Sequence, residues 1–164
     1  EQFADVFGKT YDLNWIGLRY FNIFGPKQNP DNPYAAVIPI FAKAFLNSGD
    51  ITINGDGITS RDFTFVDNAV YLNDLALFTE NQAALNQVYN AACGDQISLN
   101  EMVEMLREIS EGKPSVSYGP ERKGDVKHSK ADISKAIELL NYSPKVRFTE
   151  GLGKVYAWYK ENNV

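Results

Sequence analysis

Chemistry that depends on sulfur or imidazole has little to work with in this chain. Among 164 residues there is one cysteine, Cys93, and one histidine, His128. A single cysteine excludes an internal disulfide and a cysteine-based metal cluster. Cys93 closes the apolar run Val88-Tyr89-Asn90-Ala91-Ala92-Cys93, where a buried structural thiol is expected rather than a nucleophile. A lone histidine cannot assemble a metal site, and no carboxylate and nucleophile frame His128 for a triad. It reads as structural or surface. Positive charge is short as well: 16 Lys and Arg stand against 21 Asp and Glu, a net charge of −5 with no basic run. No nucleic-acid partner is expected on that account. No apolar stretch approaches the roughly 20 residues that cross a bilayer, so no membrane partner is expected either. The opening residues do not read as a basic-then-apolar leader. One cysteine fits a reducing, cytoplasmic setting.

What is present is the composition of a globular domain, 44% hydrophobic, long enough to bury a core as a single unit, residues 1–164. Periodicity alternates between strand and helix. Phe3, Val6, Phe7 and Tyr11 recur at helical spacing over residues 1–12. Residues 15–24 form a nearly continuous apolar strand, the pattern of a central parallel strand buried on both faces. A loop rich in Pro and Asn covers 26–33, and a helix is expected over 34–46. Residues 51–53 and 61–65 read as short strands around the hairpin turn Asn54-Gly55-Asp56-Gly57. Asp67 is placed to cap a helix over 68–79, and 87–92 is another buried strand. Ser98 and Glu101 form a capping box opening a helix through residue 109. Residues 116–118 are a short strand, Asp132 caps a helix over 133–140, and Thr149 introduces a final helix through 160. The alternation argues an α/β fold.

Few positions stand out chemically. Asn22 ends a predicted strand, and in open α/β sheets ligands bind beyond the carboxyl ends of strands; an Asn that merely satisfies a turn is the plain alternative. The glycine turn is not a phosphate loop, because no Lys-Ser/Thr follows and no helix opens there. Arg61-Asp62 alone reads as a strand or surface ion pair, and residues 121–129 alone as a solvated loop. Two separated arginines nevertheless meet the need of a diphosphate, offering forks of donors from both sides. Tyr156 and Lys160 satisfy Tyr-x-x-x-Lys literally, but Leu152, Val155, Tyr156 and Tyr159 follow core periodicity. Gly151 and Gly153 lack the third glycine and the preceding strand of a dinucleotide fingerprint.

Three motifs taken together are more specific: RYFN-x-FG at 19–25, NGDG-x-x-SRDF at 54–63 and GDV-x-HS-x-AD at 124–132. They resemble the substrate half of the extended short-chain dehydrogenase/reductase enzymes that rework nucleotide sugars, in particular UDP-N-acetylglucosamine 4-epimerases of surface-polysaccharide synthesis. The resemblance implies the C-terminal, substrate-binding part of a Rossmann-type fold, with the NAD-binding part and the catalytic Tyr-x-x-x-Lys expected upstream of Glu1. It implies an NAD-dependent UDP-sugar 4-epimerase, acting on UDP-GlcNAc and UDP-GalNAc or their uronic acids through a 4-keto intermediate, and a homodimer when full length. It implies roles residue by residue. Asn22, Gln28, Ala36, Val37 and Asn54 would line the substrate pocket. Arg61 and Arg122 would bind the diphosphate and Asp125 the ribose. Ser129 would leave room for an N-acetyl group, and Tyr20 would border the nicotinamide. No catalytic residue is expected in this chain. Thr52 stands where many relatives carry an aromatic that stacks on the base. A related 4,6-dehydratase or decarboxylase, or a non-catalytic nucleotide-sugar binding module, are the alternative readings.

Overall fold

In the computed structural model, which describes residues 1–31 and 36–163, the apolar stretch 15–24 changes partner partway along. Strand β1 (Ile16–Tyr20) pairs in parallel with β6 (Gln87–Ala91). Strand β2 (Asn22–Phe24) pairs in parallel with β5 (Phe63–Phe65) instead. The backbone shows the handover: the Phe21 N–H still donates to the Ala91 carbonyl, whereas the Asn22 N–H donates to the Asp62 carbonyl. The expectation of one central strand buried on both faces is corrected accordingly. Among the described residues β1 has only β6 beside it, and its side chains are half-buried to exposed. An apolar run states a demand for burial and does not say which element meets it.

The expected hairpin is the second correction. Strand β3 (Asp50–Asn54) pairs in parallel with β8 (Ser115–Gly119), and β4 (Ser60–Arg61) pairs antiparallel with β7 (Ile97–Ser98). Each flank of the turn finds a non-local partner. The turn is pinned from outside: the Gly55 N–H donates to the Gly119 carbonyl and the Asn100 N–H to the Gly57 carbonyl, while Asn100 Nδ2 donates to the Asp56 carbonyl. Gly55 and Gly57 have φ of +78° and +75°, conformations that glycine adopts at no steric cost.

Helices α1 (Gln2–Tyr11), α2 (Val37–Asn47), α3 (Val66–Leu77), α4 (Leu99–Ile109), α5 (Ser134–Leu140) and α6 (Phe148–Asn162) complete the α/β architecture. The first two residues expected in α2 lie outside the described residues. Its Pro39 is tolerated because the first turn has no intrahelical acceptor to miss. The capping box of α4 is present, with the Ser98 hydroxyl accepting from the Glu101 N–H and the Glu101 carboxylate accepting from the Ser98 N–H. Three other caps differ from expectation. Asp67 falls inside α3, where its charge favours the positive end of the helix dipole without capping it. Asp132 lies one residue before the N-cap of α5 and accepts from the Ser134 N–H. Thr149 is inside α6 and donates to Met105 Sδ.

The main core joins α2, α4 and α6 to the β2–β5 pair through Phe24, Phe63, Phe65 and Phe148, whose rings meet at 5.4–5.5 Å between centroids. Fully burying each such ring contributes roughly 1.5–3 kcal/mol. Gly151 explains how close α6 comes: a Cβ there would stand 2.8 Å from the Phe65 ring and 2.9 Å from Phe24. A second core around Leu72, Tyr89, Leu140 and Tyr142 ties the β1–β6 pair to α3 and α5. Helix α1 belongs to neither. None of its residues is buried, and a bidentate ion pair between Arg19 and Glu1 at 2.6 Å fastens its start. No helix among the described residues is long and apolar enough to cross a membrane.

Candidate functional site

The handover from β6 to β5 leaves Asn22 at the point where neighbouring strands diverge, the place where open α/β sheets hold ligands. A cavity of about 610 Å³ opens there. Asn22, Ala36, Val37, Asn54, Arg61, Arg122 and Asp125 all line it, together with Thr52, Thr59, Phe21, Ile40 and Leu99. One wall is apolar, from the start of α2 and Leu99. Asn54, Thr59, Arg61, Arg122 and Asp125 supply the cavity's polar lining and its charges.

Arg61 is held in a fixed pose. Nη1 donates to the Ser60 carbonyl at 2.9 Å and the Lys127 carbonyl at 3.3 Å, and Nη2 meets Asp125 Oδ1 at 2.5 Å. Arg122 has no carboxylate within 4.0 Å among the described residues, so its guanidinium is the free cation of the cavity. Beside it, Lys127 pairs with Glu121 at 3.0 Å, and the hydrogen bond it donates to that carboxylate raises the lysine pKa above its usual value. The segment carrying these groups is stitched to β4: the Ser60 N–H donates to the Lys127 carbonyl, the Ser129 N–H to the Ser60 carbonyl, and Ser60 Oγ lies 2.8 Å from His128 Nδ1. His128 is thus an exposed structural contact.

Three residues singled out from the sequence do not line the cavity. The Gln28 side chain folds back on its own loop, accepting from the Gly25 N–H and donating to the Ile23 carbonyl. The Gln28 carbonyl accepts from Tyr159 Oη at 2.5 Å, and burial pushes the Tyr159 phenol up to about 12, so that donor keeps its proton. Ser129 is half-buried against Ser60, next to the cavity wall. Tyr20 is exposed, donates from Oη to Asn73 Oδ1 at 2.8 Å and borders a separate cavity between β1 and α3.

Sequence reasoning missed Asp62. It forms no ion pair with Arg61 and is fully buried. The signal was a charge at a position flanked by strand residues in Ser60-Arg61-Asp62-Phe63. Cys93 is half-buried rather than sealed in. Burial pushes its thiol pKa up, which suits an inert structural role.

The cavity can bind but is poorly equipped to react. Among the described residues its lining holds no histidine, cysteine, lysine, tyrosine or glutamate, and its one carboxylate pairs with Arg61 through Oδ1. General acid/base catalysis requires a positioned proton carrier. Two guanidiniums around one carboxylate instead favour a dianionic group that accepts hydrogen bonds from both sides. No group of three or more His, Cys, Asp or Glu among the described residues could hold a metal ion. Nor does any described strand run through a Gly-x-Gly-x-x-Gly turn into a helix, the arrangement that holds a dinucleotide pyrophosphate. Gly151 and Gly153 sit inside α6, and Tyr156 is a buried core residue. The described residues therefore do not form a dinucleotide cradle.

A family model described as "NAD dependent epimerase/dehydratase family" matches residues 1–92. The chain is 31% identical over 163 residues to a putative UDP-glucose 4-epimerase of Methanocaldococcus jannaschii, covering 99% of this chain and 51% of that protein. Its structure is similar to that of a UDP-N-acetylglucosamine 4-epimerase from Methanobrevibacter ruminantium M1 in complex with UDP-N-acetylmuramic acid, at 37% identity and a TM-score of 0.90, covering 99% of this chain and 51% of that one. It is also similar to a UDP-glucuronic acid 4-epimerase from Bacillus cereus in complex with UDP-glucuronic acid and NAD, at 32% identity and a TM-score of 0.86, over 98% and 50% of the two chains. The chain spans about half the length of the curated relatives it matches.

Proposed function

The chain belongs to the NAD dependent epimerase/dehydratase family, and from that premise we propose that it is the UDP-sugar-binding portion of an NAD-dependent 4-epimerase. Its fold matches the C-terminal half of epimerase structures. The observation that carries the reading is the convergence of Arg61, Arg122, Asp125, Asn22 and Asn54, from four separate segments, on one cavity.

Arg61 and Arg122 hold the diphosphate, and Asp125 takes the ribose hydroxyls. An epimerase must grip its nucleotide while the sugar turns over, so binding free energy belongs on the nucleotide handle. A lining that combines guanidinium donors with apolar side chains suits that division. Ser129 is the small residue that admits an N-acetyl group, which points to UDP-GlcNAc and UDP-GalNAc as substrates, with their uronic acids as relatives. The similarity to the M. ruminantium enzyme supports this choice. Asn22 contacts the sugar nucleotide, and Tyr20 borders the nicotinamide. When bound, NAD would supply hydride chemistry at sugar carbon 4; the residues that would hold it, and the acid/base pair, are assigned to the rest of the protein. We place the whole enzyme in the cytoplasm, as a homodimer in polysaccharide biosynthesis.

The same handle would serve a dehydratase or decarboxylase, since the cavity addresses the nucleotide and not the reacting bonds. Full-length protein incubated with NAD⁺ and UDP-N-acetylglucosamine should yield the C4 epimer and no dehydrated or decarboxylated sugar. A dehydrated or decarboxylated product from its sugar substrate would move the chain to that branch of the family. A protein that binds UDP-sugars and turns none of them over would be a binding module.

A further inference from the structure

We propose that Asp62, which does not touch the cavity, is the positioning residue that sets its cationic wall. The proposal rests on the reading that Arg61 and Arg122 hold a diphosphate. Asp62 is fully buried between Arg61 and Phe63, both of which line the cavity. A buried carboxylate is tolerated only where donors replace its water. Here they come from separate parts of the chain. Oδ1 accepts from the Cys93 N–H at 3.0 Å and from the Thr64 hydroxyl at 3.4 Å. Oδ2 accepts from the Gly94 N–H at 2.8 Å and the Ala131 N–H at 3.3 Å. The Asp62 carbonyl accepts from the Asn22 N–H at 3.3 Å and from Asn22 Nδ2 at 3.0 Å.

Among the described residues no cation pairs with this carboxylate, which therefore works as a latch for backbone amides rather than as half of an ion pair. The segments it fastens are the ones that carry the site. Ala131 ends the stretch bearing Arg122, Asp125 and Ser129. Cys93 and Gly94 lead from β6 into β7, whose Ile97 pairs with Arg61. Asn22 is held by the Asp62 main-chain carbonyl, so it depends on where the latch places this backbone and not on the carboxylate itself. An apolar residue of similar size would fill the space but leave buried N–H groups without acceptors and the segments free to shift. Charge-assisted hydrogen bonds hold direction as well as distance, which is what two arginines aimed at one diphosphate require.

The test uses full-length protein and UDP as the titrant, with wild type, Arg61→Ala, Asp62→Asn and the double variant. Asp62→Asn keeps size but turns an NH₂ group toward backbone donors. It should weaken UDP binding about tenfold or more, measured well below its melting temperature, since small displacements of binding groups are expensive. Combined with Arg61→Ala, the loss should be clearly less than the product of the two single losses, because the two act through one interaction. Unchanged UDP affinity with a lowered melting temperature, or fully multiplicative losses, would overturn the proposal and leave Asp62 a folding residue only. If Arg61→Ala itself binds UDP normally, the diphosphate reading fails, and this inference falls with it. Should Asp62→Asn not fold, amide exchange of the unsubstituted protein decides. UDP should then slow exchange at Cys93, Gly94 and Ala131 more than at Leu106 and Leu152, which lie in the main core. Equal slowing would count against the latch.

Discussion

Arg61 Nη2 and Asp125 Oδ1 lie 2.5 Å apart, joining β4 to a segment more than sixty positions later in the chain. The aspartate side chain is about half exposed, and the arginine is not. A pair of this kind adds roughly 0–1 kcal/mol to stability, so its value lies in placing the fork. Replacing Asp125 by Ala should shift the melting temperature by no more than a few degrees. It should weaken UDP binding by full-length protein about tenfold, the loss of one charge-assisted bond. Calorimetry of both quantities on the same samples checks the split, and unchanged affinity would remove Asp125 from the site.

Ser129 is proposed as the selector for the substituent on sugar carbon 2. Ser129→Tyr in full-length protein should spare UDP binding, penalise N-acetylated UDP-sugars and leave UDP-glucose and UDP-galactose less affected. Competition binding against UDP distinguishes these ligands. Equal weakening of every UDP-sugar would end the N-acetyl assignment while leaving the family membership intact.

The capping box of α4 makes a pH prediction. Hydrogen bonds from the Ser98 hydroxyl, and then from its N–H, hold the Glu101 carboxyl below its ordinary value of 4.5. The folded pKa is therefore depressed, so the contribution is complete above the unfolded value and is lost as pH falls through the folded one. The difference in melting temperature between wild type and Glu101→Ala should be constant near neutrality and shrink below about pH 4.5. Ser98→Ala should cost about 1 kcal/mol at neutral pH. A gap that widens in acid would refute the assignment.

Phe3 is 81% exposed, and Val6, Phe7 and Tyr11 share the open face of α1. Surfaces of this kind find cover in solution. The 164-residue chain, expressed alone, should associate or unfold at low temperature, as followed by sedimentation and calorimetry. A monomer with a high melting temperature would contradict this.

Local signals in the sequence carried far and non-local ones did not. The Ser98/Glu101 box was readable because both partners lie within one turn of helix. The glycine turn at 54–57 was readable too, since φ above zero selects glycine. Its supposed hairpin was not, because β3 and β4 each pair with strands some forty to sixty-five residues away, and turn chemistry says nothing about such partners. The break at Phe21 was hidden for the same reason: apolar residues continue across it while the neighbouring strand changes. The seven cavity residues named from the sequence, Asn22, Ala36, Val37, Asn54, Arg61, Arg122 and Asp125, were legible through family motifs and not through composition or spacing. Gln28 lies off the cavity because a glutamine long enough to reach a pocket is also long enough to close its own loop. Asp62 was overlooked because three of its four carboxylate donors are backbone amides, which no sequence pattern displays.

The most direct measurement of the central claim is calorimetric titration of UDP into full-length wild type, Arg61→Ala, Arg61→Lys and Arg122→Ala. If the two arginines clamp the diphosphate, each alanine leaves phosphate oxygens short of charge-assisted partners. The account predicts losses of about 1.5–3 kcal/mol per bond, or roughly tenfold to over a hundredfold in affinity. Lysine at position 61 should recover only part of it, because a point charge cannot reproduce the fork. UDP binding within about twofold of wild type in both alanine variants, on a scale where 1.4 kcal/mol is tenfold, would contradict the account.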